Sequence, residues 1–491
     1  MLHQQPTANA ASGAVAAVAS IGANPKKPVH KSIQYILDHL DQFIEIKLPS
    51  TAIPDSFGAE YTMQDLEALC TALETNKTVK KLHLAHHEEL PEDFYLPFSK
   101  MLAVNTALES LELEEDTVGD DCVLSLVSGL ANNRTLKELV LKRDNDAAVS
   151  ISSRGVCYLA AWLAAKGCVL ERLNLNGHVG IGNAGAVLLG TMLQTHSSLI
   201  ALELDHVGMS DVGASELAAG LKANATSRLR VLSVARNYIG QQGALDFAAM
   251  LTIHQTLSFF DISHNRVDRC GMKALVKSIA ATNRLETFRC AFNNFIHKFP
   301  IHTPLFAGMI NPNLVELDIS QTHLDDKGVV AIGAALKTNK SLTAINLQSR
   351  NIGTEGANAL LDAMMHNTGI IRFRFIGEFG QHTEVNQLIQ MRAKSNSFLN
   401  QNWRLALLYM SFLRANFTSA FRNSVMNLIP LVMQCVGTDD LDPTDPRFKK
   451  LLNINKFFDA KYVRAIIQGE IQSRGTAKVE LVEDVKKQFN G

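Results

Sequence analysis

Residues 229–251, LRVLSVARNYIGQQGALDFAAML, contain two hydrophobic periods in succession. The first six residues follow the spacing LxxLxL, which is typical of a short strand with one buried face. After Gly243, apolar residues recur every four positions at Phe247 and Leu251, and this spacing places them on one face of a helix. The stretch therefore predicts a strand, a turn and a helix that packs back onto the strand.

The same unit recurs along the chain. Ten strong starts are separated by 28 to 34 residues, and two weaker starts precede them at Phe43 and Val79. The strong starts are Leu108, Leu136, Leu170, Leu199, Leu229, Leu257, Leu285, Leu314, Leu342 and Ile370. Roughly twelve parallel strands alternating with helices are expected from such a repeat.

The strand and helix motifs together resemble the leucine-rich repeats of the ribonuclease-inhibitor class, over about residues 43–391. This class includes the sensor arms of nucleotide-binding oligomerisation-domain receptors and the GTPase-activating protein for Ran. The resemblance implies an α/β solenoid, a horseshoe with parallel strands on the concave face and helices outside. One departure is that the asparagine expected eight residues after each start is replaced by other residues in several units, including His178 and Val207.

The chain is expected to have three parts. Residues 1–30 are predicted to be a disordered leader, residues 31–391 the solenoid with an N-terminal helical cap, and residues 392–491 an α-helical C-terminal cap with a basic tail. Residues 392–491 hold 15 Lys and Arg against 9 Asp and Glu, so they carry about +6, while the preceding residues carry about −7.

Composition narrows the class of protein. The net charge of −1 is low for a nucleic-acid binder, and no stretch has the length and apolarity of a membrane helix, so we expect neither nucleic-acid binding nor stable membrane insertion. Seven cysteines show no CxxC spacing, which favours reduced thiols and a cytoplasmic location. Four of five glycosylation-type sequons, at Asn76, Asn133, Asn224 and Asn339, occupy a recurring turn and are interpreted as structural.

Three constellations suggest chemistry and are rejected. GIGNAG at residues 180–185 matches a dinucleotide fingerprint, but its last glycine is the repeat glycine of that unit. His83, His86 and His87 form a cluster that lacks further metal-ligand spacing. Cys435 precedes VGTD rather than the CxD expected of bacterial leucine-rich-repeat ubiquitin ligases. We therefore predict no catalytic residue, no cofactor and no metal.

The concave face is the predicted binding site. Glu203, Asp205, Asp261 and Asp318 make much of it acidic, which would suit a partner protein with a basic or mixed surface, although solvation alone also explains scattered acids. Near the middle, Phe259, Arg289 and Phe292 have the residue types of binding anchors.

The predicted function is a protein-protein interaction scaffold that is not an enzyme. The alternatives are a ubiquitin-ligase-like enzyme with its site in the C-terminal region, and a small-GTPase regulator. The Ala-rich leader and the polar C-terminus with Glu480, Glu483 and Asp484 also look like those of effectors that intracellular bacteria such as Legionella export into the host cytosol.

Overall fold

A computed structural model shows the fold of two compact units, Met1–Phe299 and Pro300–Gly491. The residues that the structure describes are 20–21, 33–48, 63–86, 95–115, 118–143, 150–282, 284–293, 306–310, 312–322, 324–349, 352–375, 385–386, 389–390, 392–394 and 396. Most of the predicted leader and nearly all of the predicted C-terminal cap therefore lie outside the described residues.

The first unit contains a sheet of ten strands in chain order. β1 pairs antiparallel with β2, and β2 to β10 are parallel. The strands are β1 Ser20–Ile21, β2 Phe43–Leu48, β3 Lys81–His86, β4 Ser110–Glu115, β5 Glu138–Lys142, β6 Arg172–Asn174, β7 Ala201–Glu203, β8 Val231–Ser233, β9 Phe259–Asp261 and β10 Thr287–Arg289. The helices are α1 Ile33–Asp38, α2 Met63–Thr75, α3 Leu96–Val104, α4 Asp120–Leu130, α5 Ser153–Leu163, α6 Gly182–Leu193, α7 Asp211–Ala223, α8 Gln241–Ile253 and α9 Arg269–Ala281.

The second unit repeats the same pattern of parallel strands and helices. Its elements are β11 Glu316–Asp318, α10 Asp326–Thr338, β12 Ala344–Asn346, α11 Thr354–His366 and β13 Arg372–Arg374. The predicted α/β solenoid is confirmed, and both weak starts at Phe43 and Val79 lead into strands.

The core lies between the sheet and the helices. In β9, Phe260 is fully buried, whereas Phe259 and Asp261 on either side are partly exposed. The Phe260 ring lies 5.3 Å from that of Phe247 in α8 and 6.0 Å from that of Phe288 in β10, measured between ring centroids. Alternation along each strand thus gives the sheet one packed face, and we call the opposite face the open face.

Three buried asparagines provide hydrogen-bond partners for backbone groups in the turns after β8, β9 and β10. The Asn237 amide donates to the Leu204 carbonyl at 2.8 Å, and its Oδ1 accepts from the Met209 N–H at 3.0 Å. Asn265 and Asn293 make the corresponding bonds one and two repeats further on. Each asparagine therefore joins its own turn to the preceding repeat, where these backbone groups would otherwise be buried without partners.

The sequon asparagines are structural, as predicted. The Asn133 amide donates to the Leu102 carbonyl at 2.8 Å, and its Oδ1 accepts from the Leu136 N–H at 2.9 Å. Asn76, Asn224 and Asn339 likewise accept bonds from backbone N–H groups of the following turn. The Asn133 and Asn224 amides also donate to carbonyls of the preceding repeat, and so join neighbouring repeats at the amino ends of the strands.

His178 replaces the expected asparagine in its repeat and likewise forms hydrogen bonds with backbone groups of the preceding repeat. Its Nε2 donates to the Leu141 carbonyl at 2.9 Å, and its Nδ1 accepts from the Ile151 N–H at 3.1 Å. The ring must be neutral to accept at Nδ1. Burial lowers the pKa of His178 from its ordinary value of 6.5 to about 4.

The repeat glycines allow close approach between neighbouring helices rather than an unusual turn. A Cβ atom on Gly243 would lie 2.8 Å from the Ala214 side chain, and one on Gly271 would lie 2.7 Å from that of Ala244. Neither residue is among the positive-φ glycines. These two glycines therefore have a packing role.

We expect the free energy of unfolding to decrease as the pH falls through the window from about 6.5 to about 4. The unfolded chain protonates His178 in this window, while the folded chain keeps the imidazole neutral. The full loss from this group is about 3 kcal/mol. Urea unfolding at several pH values should show a shallower decrease for His178→Asn, since asparagine does not titrate. The exposed His206→Asn serves as the control, and equal slopes in all three proteins would contradict the assignment.

Candidate functional site

The strand register arranges the open face of the first unit in rows. Arg289 lies beside Asp261, which in turn lies beside Ser233 and then Glu203. A second row runs two residues earlier in each strand and includes Thr287, Phe259, Val231 and Ala201. Residues far apart in the chain are thereby placed one strand spacing apart.

Phe259 and Arg289, two of the predicted anchors, are in contact. The Arg289 guanidinium carbon lies 5.2 Å from the centroid of the Phe259 ring, within the range of a cation-π interaction. Both side chains are partly exposed on neighbouring strands. The contact holds the arginine over the ring and keeps an aromatic and a cationic group together on the surface.

Phe292, the third predicted anchor, lies in the turn after β10 and stacks on His264. The two rings are 4.3 Å apart with an interplanar angle of 12°, and Phe292 is 50% exposed. In the preceding turns the Arg266 guanidinium carbon lies 4.6 Å from the Tyr238 ring centroid, and Tyr238 is 46% exposed. These three pairs define the aromatic-cationic patch: Tyr238, Phe259, His264, Arg266, Arg289 and Phe292.

The sequence analysis missed three members of this patch, namely Tyr238, His264 and Arg266. A signal was present, because His264 and Phe292 occupy the seventh residue after their repeat starts, and Tyr238 and Arg266 occupy the ninth. Equal offsets in consecutive repeats bring side chains together.

The seventh position also has a distinctive backbone. His206, Arg236, His264 and Phe292 all have positive φ, between 53° and 56°. Side chains other than glycine are disfavoured there by about 1 kcal/mol. These four residues are nevertheless large and exposed. Large side chains are therefore displayed from the same point of four successive turns.

Two predicted binding acids are engaged within the protein. Asp205 Oδ1 accepts from the Ser233 hydroxyl at 2.5 Å and from the Ala235 N–H at 2.8 Å. Asp261 Oδ1 accepts from the Ser263 N–H at 2.8 Å. Burial raises the pKa of both carboxyl groups, and these hydrogen bonds oppose the rise. Both aspartates thus support the turns that follow the strands.

The other two predicted acids also have partners. Glu203 accepts from the Asn174 amide at 2.9 Å, and Arg172 approaches its other oxygen at 3.4 Å. In the second unit, Asp318 accepts from the Ser320 hydroxyl at 2.7 Å and from the Asn346 amide at 3.0 Å. The acids contribute less uncompensated charge to the open face than the sequence alone suggests.

Comparisons with known proteins agree with this architecture. Residues 311–333 match a family model described as "Leucine Rich repeat". The chain is 27% identical to ribonuclease inhibitor of Sus scrofa over 304 residues, which are 62% of this chain and 65% of that protein. The chain therefore has a leucine-rich-repeat fold, and its repeats are similar to those of ribonuclease inhibitor.

Two further relatives have the same repeat. NACHT, LRR and PYD domains-containing protein 12 of Mus musculus is 26% identical over 340 residues, covering 63% of this chain and 31% of that protein. Capping protein, Arp2/3 and myosin-I linker protein 3 of Rattus norvegicus is 26% identical over 230 residues, covering 46% and 15%. This leucine-rich-repeat protein spans less than two thirds of the length of each relative named here.

The far end of the open face carries a second polar group of residues. His83 of the repeat protein lies near Glu112 and Glu114 of β4 and Lys142 of β5. The sequence analysis instead grouped His83 with His86 and His87. His87 lies outside the described residues, as does the side chain of His86.

Among the helices that the structure describes, none has the length and apolarity needed to cross a membrane.

We predict that Asp205→Ala lowers the free energy of unfolding by about 1–3 kcal/mol, because the Ala235 N–H loses its acceptor. Asp205→Asn keeps an oxygen in the same place and should lose clearly less. Urea unfolding of the two variants measures the difference. If Asp205→Ala is as stable as the unaltered protein, the carboxylate has no structural role and is available to a partner.

Proposed function

We propose that this leucine-rich-repeat protein is a scaffold that binds a partner protein on the open face of its first unit, centred on the aromatic-cationic patch. The observation that carries the proposal is that three aromatic side chains, each paired with a cation or an imidazole, lie in three consecutive repeats. Aromatic and arginine side chains are enriched among residues that dominate binding energies.

A rigid support strengthens the proposal. Phe259 and Arg289 belong to strands, and Phe292 precedes the buried Asn293, which is bonded to the Ile262 carbonyl at 2.8 Å. Side chains held in this way lose little conformational freedom when a partner covers them. The names of two relatives also state protein targets, since one inhibits ribonuclease and the other links capping protein, Arp2/3 and myosin-I.

The proposed partner has a mixed surface. Arg266 and Arg289 favour carboxylates opposite the patch, together with apolar groups against Phe292 and Tyr238. Because Asp205 and Asp261 already accept internal hydrogen bonds, we expect the patch to contribute more binding energy than these acids.

Four finer hypotheses remain predictions from the sequence. A cytosolic location rests on the absence of CxxC spacing among the seven cysteines of the sequence. The enzyme alternative depends on Cys435 and the export hypothesis on the C-terminal segment with Glu480, and both lie outside the described residues. The small-GTPase regulator is a special case of the proposed scaffold and would use the same face.

The proposal predicts that Phe259→Ala combined with Arg289→Ala weakens partner binding by about 2 kcal/mol or more, roughly thirtyfold. The partner is first captured on the unaltered protein and identified by mass spectrometry, and its affinity for each variant is then measured by calorimetry. The melting temperature should change little because both side chains are partly exposed.

The structure offers a matched control pair on α5. The Arg154 guanidinium carbon lies 5.8 Å from the Tyr158 ring centroid, so the pair has the same chemistry away from the open face. Arg154→Ala combined with Tyr158→Ala should leave partner affinity unchanged. Equal affinities for the patch double variant and the unaltered protein, with both folded, would show that the partner binds elsewhere.

A further inference from the structure

The second polar group on the open face contains side chains of the types that bind metal ions. His83 of β3 is in register with Glu112 of β4, and Glu114 follows two residues later on the same face. Lys142 of β5 is in register with Glu114. Parallel pairing therefore brings one imidazole and two carboxylates together from adjacent strands, although His83 and Glu112 are 29 positions apart in the sequence.

The imidazole is close to both carboxylates without bonding well to either. His83 Nδ1 lies 3.7 Å from Glu112 Oε2, and Nε2 lies 3.5 Å from Glu114 Oε1. Both separations are long for a hydrogen bond. The Nε2 atom is nevertheless buried and makes no hydrogen bond. A buried nitrogen left in this way is costly unless another group binds it.

The separation between Nε2 and Glu114 suits a small cation placed between the ligands, since one ion can bind only one nitrogen of the ring. One ligand atom from each of His83, Glu112 and Glu114 can be chosen so that all lie within 4.8 Å of one another. Ligands of a tetrahedral zinc ion, bound at about 2.0–2.2 Å, lie roughly 3.4 Å from each other. The separation of 3.5 Å between Nε2 and Glu114 Oε1 is close to that value.

Lys142 provides the positive charge in the absence of an ion. Its ammonium group forms an ion pair with Glu114 and lies 3.8 Å from Glu112 Oε1. One ammonium does not neutralise two carboxylates. The pair of carboxylates thus favours a further cation, and the flexible lysine stem can move aside for it.

We propose that His83, Glu112 and Glu114 form a binding site for a divalent transition-metal ion of the zinc type, for which Lys142 competes in the metal-free protein. A nitrogen ligand with two carboxylates favours zinc over magnesium or calcium, which prefer oxygen ligands alone. Three protein ligands leave a coordination position for water or for a side chain of a partner. The site is independent of the aromatic-cationic patch.

The test is titration of the full chain, freed of metal by a chelator, with zinc chloride in isothermal titration calorimetry. His83→Gln and Glu112→Gln should each weaken zinc binding about tenfold or more. Lys142→Met should strengthen it, because the competing ammonium is removed while both carboxylates remain. His206→Gln, an exposed histidine elsewhere, is the matched control and should bind zinc as the unaltered protein does.

Two further measurements make the outcome decisive. Cobalt(II) in place of zinc should give a visible absorption band typical of low coordination number, and this band should be absent in His83→Gln. Melting temperatures establish that each variant is folded, and Glu112→Gln serves if His83→Gln does not fold. Unchanged zinc affinity in the folded ligand variants, or weaker binding in Lys142→Met, would overturn the proposal and leave the group as an ion-pair network.

Discussion

The rest of the structure depends on how the backbone groups at the strand ends find hydrogen-bond partners. Each strand is short, in several repeats only three residues, so much of every repeat is turn. Buried turns require partners for their N–H and C=O groups. Asn237, Asn265 and Asn293 provide these partners across the repeat boundary, and that linkage gives successive turns the same conformation. The regular spacing of the open face follows from it.

The same requirement explains why some acids on the open face also stabilise the fold. Asp205 bonds to Ser233 and Ala235 of the next repeat, so its carboxylate serves the sheet rather than the surface. His178 shows that the linkage tolerates a different side chain when its ring offers a donor and an acceptor at suitable positions. The chemistry of the linkage is retained while the residue type changes.

The sequence predicted most of the fold, since strands and helices follow from apolar periodicity that is local to each unit. Even the weak repeat starts at Phe43 and Val79 were identified, each from only a few apolar residues. The candidate site was harder to predict from the sequence, because its contacts join residues that are about one repeat apart in the chain. The contact of Arg289 with Phe259 depends on the strand register, as does the approach of His83 to Glu112. The internal role of Asp205 was also missed, since a hydrogen bond to the next turn leaves no pattern in composition.

In the turns after β9 and β10, a buried residue lies next to an exposed one. Asn265 and Asn293 are buried and bonded, so few substitutions are compatible with the fold at those positions. The side chains of the residues just before them, His264 and Phe292, are exposed on a left-handed backbone, although the His264 N–H donates to the Ala291 carbonyl at 2.7 Å. Variation at these outward positions can therefore alter the chemistry of the surface while the scaffold is preserved. Such an arrangement lets one fold acquire new partners through single substitutions, each displayed about one strand spacing, roughly 4.8 Å, from the next.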